Sequence, residues 1–115
     1  YNPRIDEALL RTADALSSEL CFVGEHVSIV WREVVDEKEG AFLVDKKRFA
    51  ALHPALQRHL LREAVERLLG SLEDVEWKHI ERMRTSFGLR TGKRVILPRR
   101  LVLCVEKEKC RLAAG

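Results

Sequence analysis

Long apolar runs are missing from this sequence. No stretch approaches the ~18 uninterrupted apolar residues that a membrane-spanning helix needs, and the N-terminus lacks the charged-then-apolar pattern of a secretory signal. No membrane partner is expected, and a cytoplasmic location is. Cysteine is scarce. Cys21, Cys104 and Cys110 form no C-x-x-C pair and have no histidine nearby at metal-ligand spacing, so neither a zinc site nor a disulfide framework is expected. Cys21 and Cys104 sit inside apolar runs and read as small buried hydrophobes. With 3 prolines and 6 glycines there is no flexible or Pro-rich linker and no repeat, and 115 residues suit a single domain, 1–115. The standard catalytic signatures are also absent: no G-x-x-x-x-G-K-[ST], G-x-G-x-x-G, H-E-x-x-H or G-x-S-x-G. His53 and His59 are six apart, on different faces of any helix carrying both. Glu73, Asp74 and Glu76 are explained by the positive end of a helix dipole. No catalytic, cofactor-binding or metal-binding residue is assigned.

What is present is an ordinary water-soluble composition, 46% apolar and 34% charged, with an uneven distribution of charge. Residues 1–45 carry 4 basic and 10 acidic side chains; residues 46–115 carry 17 basic and 8 acidic. Within Arg82 to Arg111 there are 10 basic residues and 2 acidic ones. Such density attracts phosphate backbones through charge and counterion release, which makes nucleic acid the leading partner class. A solvated surface with an uneven mix of charge is the plain alternative.

Asn2-Pro3 ahead of Asp6 and Glu7 reads as a helix start, with Ile5, Leu9, Thr12, Ala13 and Leu16 inward and an end near Glu19 to Phe22. Val27, Val30, Trp31 and Val34 repeat at three- and four-residue steps and predict a second helix, with Glu33 to Gly40 as its acidic, glycine-closed end. Ala41 to Val44 is short and apolar enough to be extended. Lys46 to Ala51 predicts one or two helical turns with Phe49 and Leu52 inward. Pro54 opens the clearest helix, with Leu56, Leu60, Leu61, Ala64, Val65 and Leu68 inside, Arg58, Arg62, Glu63 and Arg67 outside, and Gly70 as its stop. Asp74 is expected to cap a further helix that buries Trp77, Ile80, Met83 and Phe87 and ends at Gly88. Val95-Ile96-Leu97 and Leu101 to Val105, separated by a Pro98-Arg99-Arg100 turn, predict a hairpin. The expected fold is mainly α: a small bundle of about four helices (1–90) with a basic C-terminal β-hairpin (91–112).

Three segments carry a family resemblance. Tyr1-Asn2-Pro3-Arg4-Ile5 before a Leu-rich helix resembles the segment just after the nucleotide-binding domain of bacterial tRNA(Ile)-lysidine synthases. Leu52-His53-Pro54-Ala55-Leu56-Gln57-Arg58, continuing into Leu60-Leu61-Arg62, is similar to that family's Leu-Pro-x-Ala-Leu-x-Arg helix. Gly92-Lys93 with Leu97-Pro98 resembles its Gly-Lys-x-x-x-Leu-Pro hairpin. Their order and spacing cover nearly the whole chain. The resemblance implies a parent ligase that uses ATP and magnesium to adenylate the wobble cytidine of an isoleucine tRNA and then attaches lysine. The family's ATP-holding Ser-Gly-Gly-x-Asp-Ser loop occurs nowhere here. An excised, non-catalytic domain downstream of the catalytic one is therefore expected, with tRNA and that catalytic domain as its partners.

Charge and resemblance converge on RNA. The residues expected to contact phosphates are Arg90, Lys93, Arg94, Arg99 and Arg100 on the loop and hairpin, with Arg82 and Arg84 extending the patch from the preceding helix. Arg58 and Arg62 are weaker candidates on the outer face of an amphipathic helix. Trp31 and Trp77 read as core residues. Two alternatives stay open: a winged-helix DNA-binding domain, disfavoured by the acidic Asp74-Val75-Glu76 start of its would-be recognition helix, and an interdomain scaffold without nucleic-acid contact.

Overall fold

A computed structural model describes residues 27–114, so the helix expected from Pro3 lies outside the described residues, as does Cys21. The Val27–Val34 stripe is helical, as its spacing predicts (helix α1, described over 27–34). Val27 and Val34 are buried, and Trp31 meets Phe42 edge-on with ring centroids 5.0 Å apart.

Directly after α1 the chain departs from expectation. Glu33 to Gly40 is not an acidic helix end: Val35–Lys38 is strand β1, which turns back into β2, Ala41–Asp45. Glu39 and Gly40 take φ of 53° and 75°, the paired left-handed turn whose twist matches a two-residue hairpin. Acidic residues closed by glycine suit a helix end and a hairpin equally, which is why the local pattern misleads. Asp45 then caps helix α2 (Lys46–Ala50), its Oδ1 accepting from the Arg48 amide at 2.9 Å. Helix α3 spans Pro54–Leu69, entered through Pro54 with His53 Nδ1 accepting from the Ala55 amide, and closed by Gly70 at φ 81°. Helix α4 spans Trp77–Ser86. Its cap is Glu76, whose amide donates to His79 Nδ1 at 2.8 Å; Asp74 sits in the preceding turn at φ 65°.

The last third supplies β3 (Arg94–Ile96), a 3-10 turn over Pro98–Arg100, β4 (Leu101–Val105) and β5 (Lys109–Ala114). All pairings are antiparallel, in the order β1-β2-β5-β4-β3. The expected mainly helical bundle with one C-terminal hairpin is thus overturned: the described residues form an α+β domain in which helices cover one face of a five-stranded sheet. The missing information is tertiary. Strand β5 takes the central position between two hairpins distant in sequence, pairing Phe42 with Leu112 and Leu103 with Leu112.

Strand alternation sorts the faces. Leu101, Leu103 and Val105 of β4, with Cys110 and Leu112 of β5, point to the core and are at most 1% exposed. Against them lie Phe49, Leu60, Leu61, Val65 and Met83. Among the described residues Cys110 is the buried cysteine, its thiol pushed up to about 11 by burial, whereas Cys104 lies half-buried on the other face, against the expectation of a core role. Trp77 is a second correction. It begins the stripe that continues through buried Ile80, Met83 and Phe87, yet it is 68% exposed, because it is the first residue of α4 and overhangs the core. Among the described residues no helix is long and apolar enough to cross a membrane.

Phe49 and Phe87 stack at 3.9 Å between ring centroids and bind α2 to the end of α4. Phe49→Ala is expected to lower unfolding stability by about 3–5 kcal/mol, read from the shift in a urea midpoint at unchanged slope.

Candidate nucleic-acid interface

The seven cations expected to meet phosphates divide by what holds them. Arg84 is engaged inside the helical layer. Its guanidinium grips Glu81 (3.0 Å) and donates to Gln57 Oε1 (3.2 Å), while Gln57 Nε2 donates to the Phe49 carbonyl (2.8 Å) and Arg58 meets Glu81 at 2.5 Å. These linked bonds tie α2, α3 and α4 together. The two guanidiniums, Arg84 first, hold the Glu81 carboxyl down at about 2.

Arg99 is likewise engaged. It donates to the carbonyls of Leu69, Ser71 and Glu73 at 3.1–3.3 Å and to Ser71 Oγ at 2.8 Å. These acceptors lie at the end of α3 and in the following loop, where helix carbonyls are left without intrahelical donors and cations are favoured. The anchor holds an unusual turn: Arg99 and Arg100 take φ of 61° and 62°, left-handed conformations that cost a non-glycine residue roughly 1 kcal/mol or more each. Arg82 reaches back to the Ile96 carbonyl at 3.4 Å, joining α4 to β3.

Arg90, Lys93, Arg94 and Arg100 are different. All four are exposed and none takes part in any ion pair or side-chain hydrogen bond among the described residues. Three of them, Arg90, Lys93 and Arg94, follow one another along the loop into edge strand β3. There Gly92 (φ 97°) makes the turn, and the Gly92 amide to Val105 carbonyl bond (2.7 Å) and the Val105 amide to Lys93 carbonyl bond (2.8 Å) extend the ladder. Arg94 faces away from the helices, in register with Cys104, which is in register with Arg111 on β5. The exposed Arg111 therefore joins Arg94 on the open sheet face. Sequence reasoning missed it; the alternation Lys109-Cys110-Arg111-Leu112 carries the signal. The same face carries Ile96, 68% exposed, beside Val102 and Ala113.

On the helical side, Arg58 and Arg62 are not simply on an outer face. With Ala55 and His59 they form one wall of a cleft of about 450 Å³ that Trp77 and Ile80 of α4 close from the opposite side. Trp31 has the structural role expected of it, packed on Phe42 with the Arg67 guanidinium 4.2 Å from its ring centroid.

This framework has known relatives. Residues 45–110, from the cap of α2 into β5 and including every cation of the interface but Arg111, match the family model of the TilS substrate-binding domain. The chain belongs to that family. It is 37% identical over 114 residues to a tRNA(Ile)-lysidine synthase of Dehalococcoides mccartyi, covering 99% of this chain and 24% of the relative. It is 26% identical to one of Clostridioides difficile, covering 94% and 24%, and 27% identical to one of Solibacter usitatus, covering 81% and 21%. The chain thus spans about a quarter of the length of the curated relatives it matches.

Two predictions separate the structural cations of this substrate-binding domain from the free ones. Arg99→Ala removes four hydrogen bonds and is expected to cost about 1.5–3 kcal/mol, whereas Arg100→Gly, which relieves a left-handed arginine, is expected to cost nothing; urea midpoints compare them. Because the Glu81 carboxyl is depressed in the folded state, its contribution is complete above pH 4.5 and is lost as pH falls toward about 2. Glu81→Gln is expected to flatten the stability profile across that window, as measured by denaturation between about pH 5 and about pH 2.

Proposed function

We propose that this domain grips tRNA, the isoleucine tRNA in particular, within a cytoplasmic ATP-dependent tRNA(Ile)-lysidine synthase that attaches lysine to the wobble cytidine. ATP and magnesium would be used by a catalytic domain elsewhere in the polypeptide, the domain's second partner. The names of the relatives support the reaction class, and the family supports substrate binding. The observation that carries the reading is the set of cations without side-chain partners among the described residues: Arg90, Lys93 and Arg94 along one loop and its edge strand, and Arg100 in the turn that follows.

Their role is electrostatic and positional. Each phosphate met by a lysine or arginine releases condensed counterions, and contacts of this kind fix register on an RNA without reading its bases. Arg99 holds the Pro98–Arg100 turn and so sets where Arg100 points. Arg82 joins α4 to β3, and Arg84 ties α4 to α3. In this reading only part of the seven-residue set touches RNA, and the rest keeps the loop and α4 in place.

A second reading, contact with a neighbouring domain, is favoured by one observation: the exposed Ile96 beside Val102 and Ala113 on the open sheet face. A salt titration of the chain with an isoleucine tRNA transcript, with duplex DNA as competitor, decides between them. Binding that prefers the tRNA is expected, falling steeply with salt. Charge reversal of Lys93, Arg94 and Arg100 together should weaken it and reduce the salt slope by roughly one for each phosphate left unneutralised. Preference for the duplex would indicate DNA binding, and absence of binding to either would leave the domain contact.

A further inference from the structure

We propose that the cleft between α3 and α4 is a nucleobase subsite, which receives one unstacked base of a single-stranded RNA segment against Trp77 and its phosphate at Arg62. This inference rests on the RNA-binding reading but uses residues remote in sequence from the basic loop.

Three observations carry it. First, Ala55, Arg58, His59 and Arg62 recur at helical three- and four-residue steps, so one stripe of α3 faces the cleft, and Trp77 and Ile80, one turn apart on α4, face it from the other side. A volume of about 450 Å³ is in the range of small-ligand sites. Second, Trp77 is 68% exposed, although the residues one, two and three turns along its stripe are buried. A tryptophan left in water at the mouth of a concave site offers a stacking plane that every base can use.

Third, the charges converge on an anion. Glu76 at the rim is paired with Lys78 at 3.1 Å, and Arg58 is held by Glu81. Arg62 is exposed and has no ion-pair partner among the described residues, and His59 lies beside it. An apolar protein segment would leave that arginine unmatched at the rim, whereas a nucleotide supplies a flat base for Trp77 and a phosphate for Arg62.

The test uses the chain with Trp31→Phe, so that Trp77 is the sole tryptophan. Its fluorescence is followed during titration with a short single-stranded RNA and with an abasic strand of equal length and charge. Quenching by the RNA and not by the abasic strand is expected. With binding read instead from the anisotropy of a dye-labelled RNA, Trp77→Ala should weaken it about tenfold, Trp77→Phe should restore most of it, and Arg62→Ala should reduce the salt slope by about one. Trp77 begins its helix on the surface, and Arg62→Ala gives an independent reading should Trp77→Ala perturb the fold. RNA binding that leaves Trp77 fluorescence unchanged, or equal quenching by the abasic strand, would overturn the subsite and leave the basic loop intact. Quenching that follows protein concentration without RNA would overturn it in favour of a protein contact. Failure of any RNA to bind would overturn both this inference and the reading beneath it.

Discussion

The pairing of β5 with β2 on one side and β4 on the other holds this domain together. It converts two sequence-distant hairpins into one sheet, and only a sheet of that width offers α2, α3 and α4 a continuous apolar floor. Cys110 and Leu112, on the core face of β5, are fully buried beneath those helices. The backbone reinforces the junction: the Lys46 amide donates to the Glu108 carbonyl and Lys46 Nζ to the Glu106 carbonyl, both at 3.0 Å, so the start of α2 is tied to the β4–β5 turn.

Covering one face of an antiparallel sheet leaves the other to water or to a partner. Here the division of labour is plain. The covered face is aliphatic, and its helices are joined by the bonds among Gln57, Arg84, Glu81 and Arg58. The open face and its β3 edge carry Arg94, Arg111 and the apolar Ile96 and Val102. An edge strand flanked by lysine and arginine also resists pairing with another chain, so this charge protects the sheet edge.

How much was legible varies by segment. Helix α3 could be read in full, because proline, a long apolar stripe and a left-handed glycine all indicate the same element. The short helix α2 was legible too, from the inward Phe49 and the run of residues around it. Of hairpin β1–β2 only the extended Ala41–Val44 was legible, since its turn glycine also suits a helix end, and β5 was not, since a central strand is defined by its neighbours more than by its own residues. Among site residues, the basic density between Arg82 and Arg111 marks the stretch in which the unengaged cations stand. Which cations are free could not be read from it: nothing in the local sequence around Arg99 announces that its guanidinium closes the end of a helix 30 residues away.

The sequence by itself determined the helical stripes, the glycine stop of α3, the family and the concentration of positive charge in the second half, because each depends on residue type and short-range spacing. Tertiary structure alone decided that the described residues form a covered sheet, that Arg84 and Arg99 are internal ties while Arg90, Lys93, Arg94 and Arg100 have no side-chain partner among the described residues, and that Arg58 and Arg62 face Trp77 across a cleft. Those outcomes depend on which groups meet over long separations in the chain. A guanidinium on a surface helix carries the same local signature whether it ends in water, on a carboxylate or at the wall of a binding site.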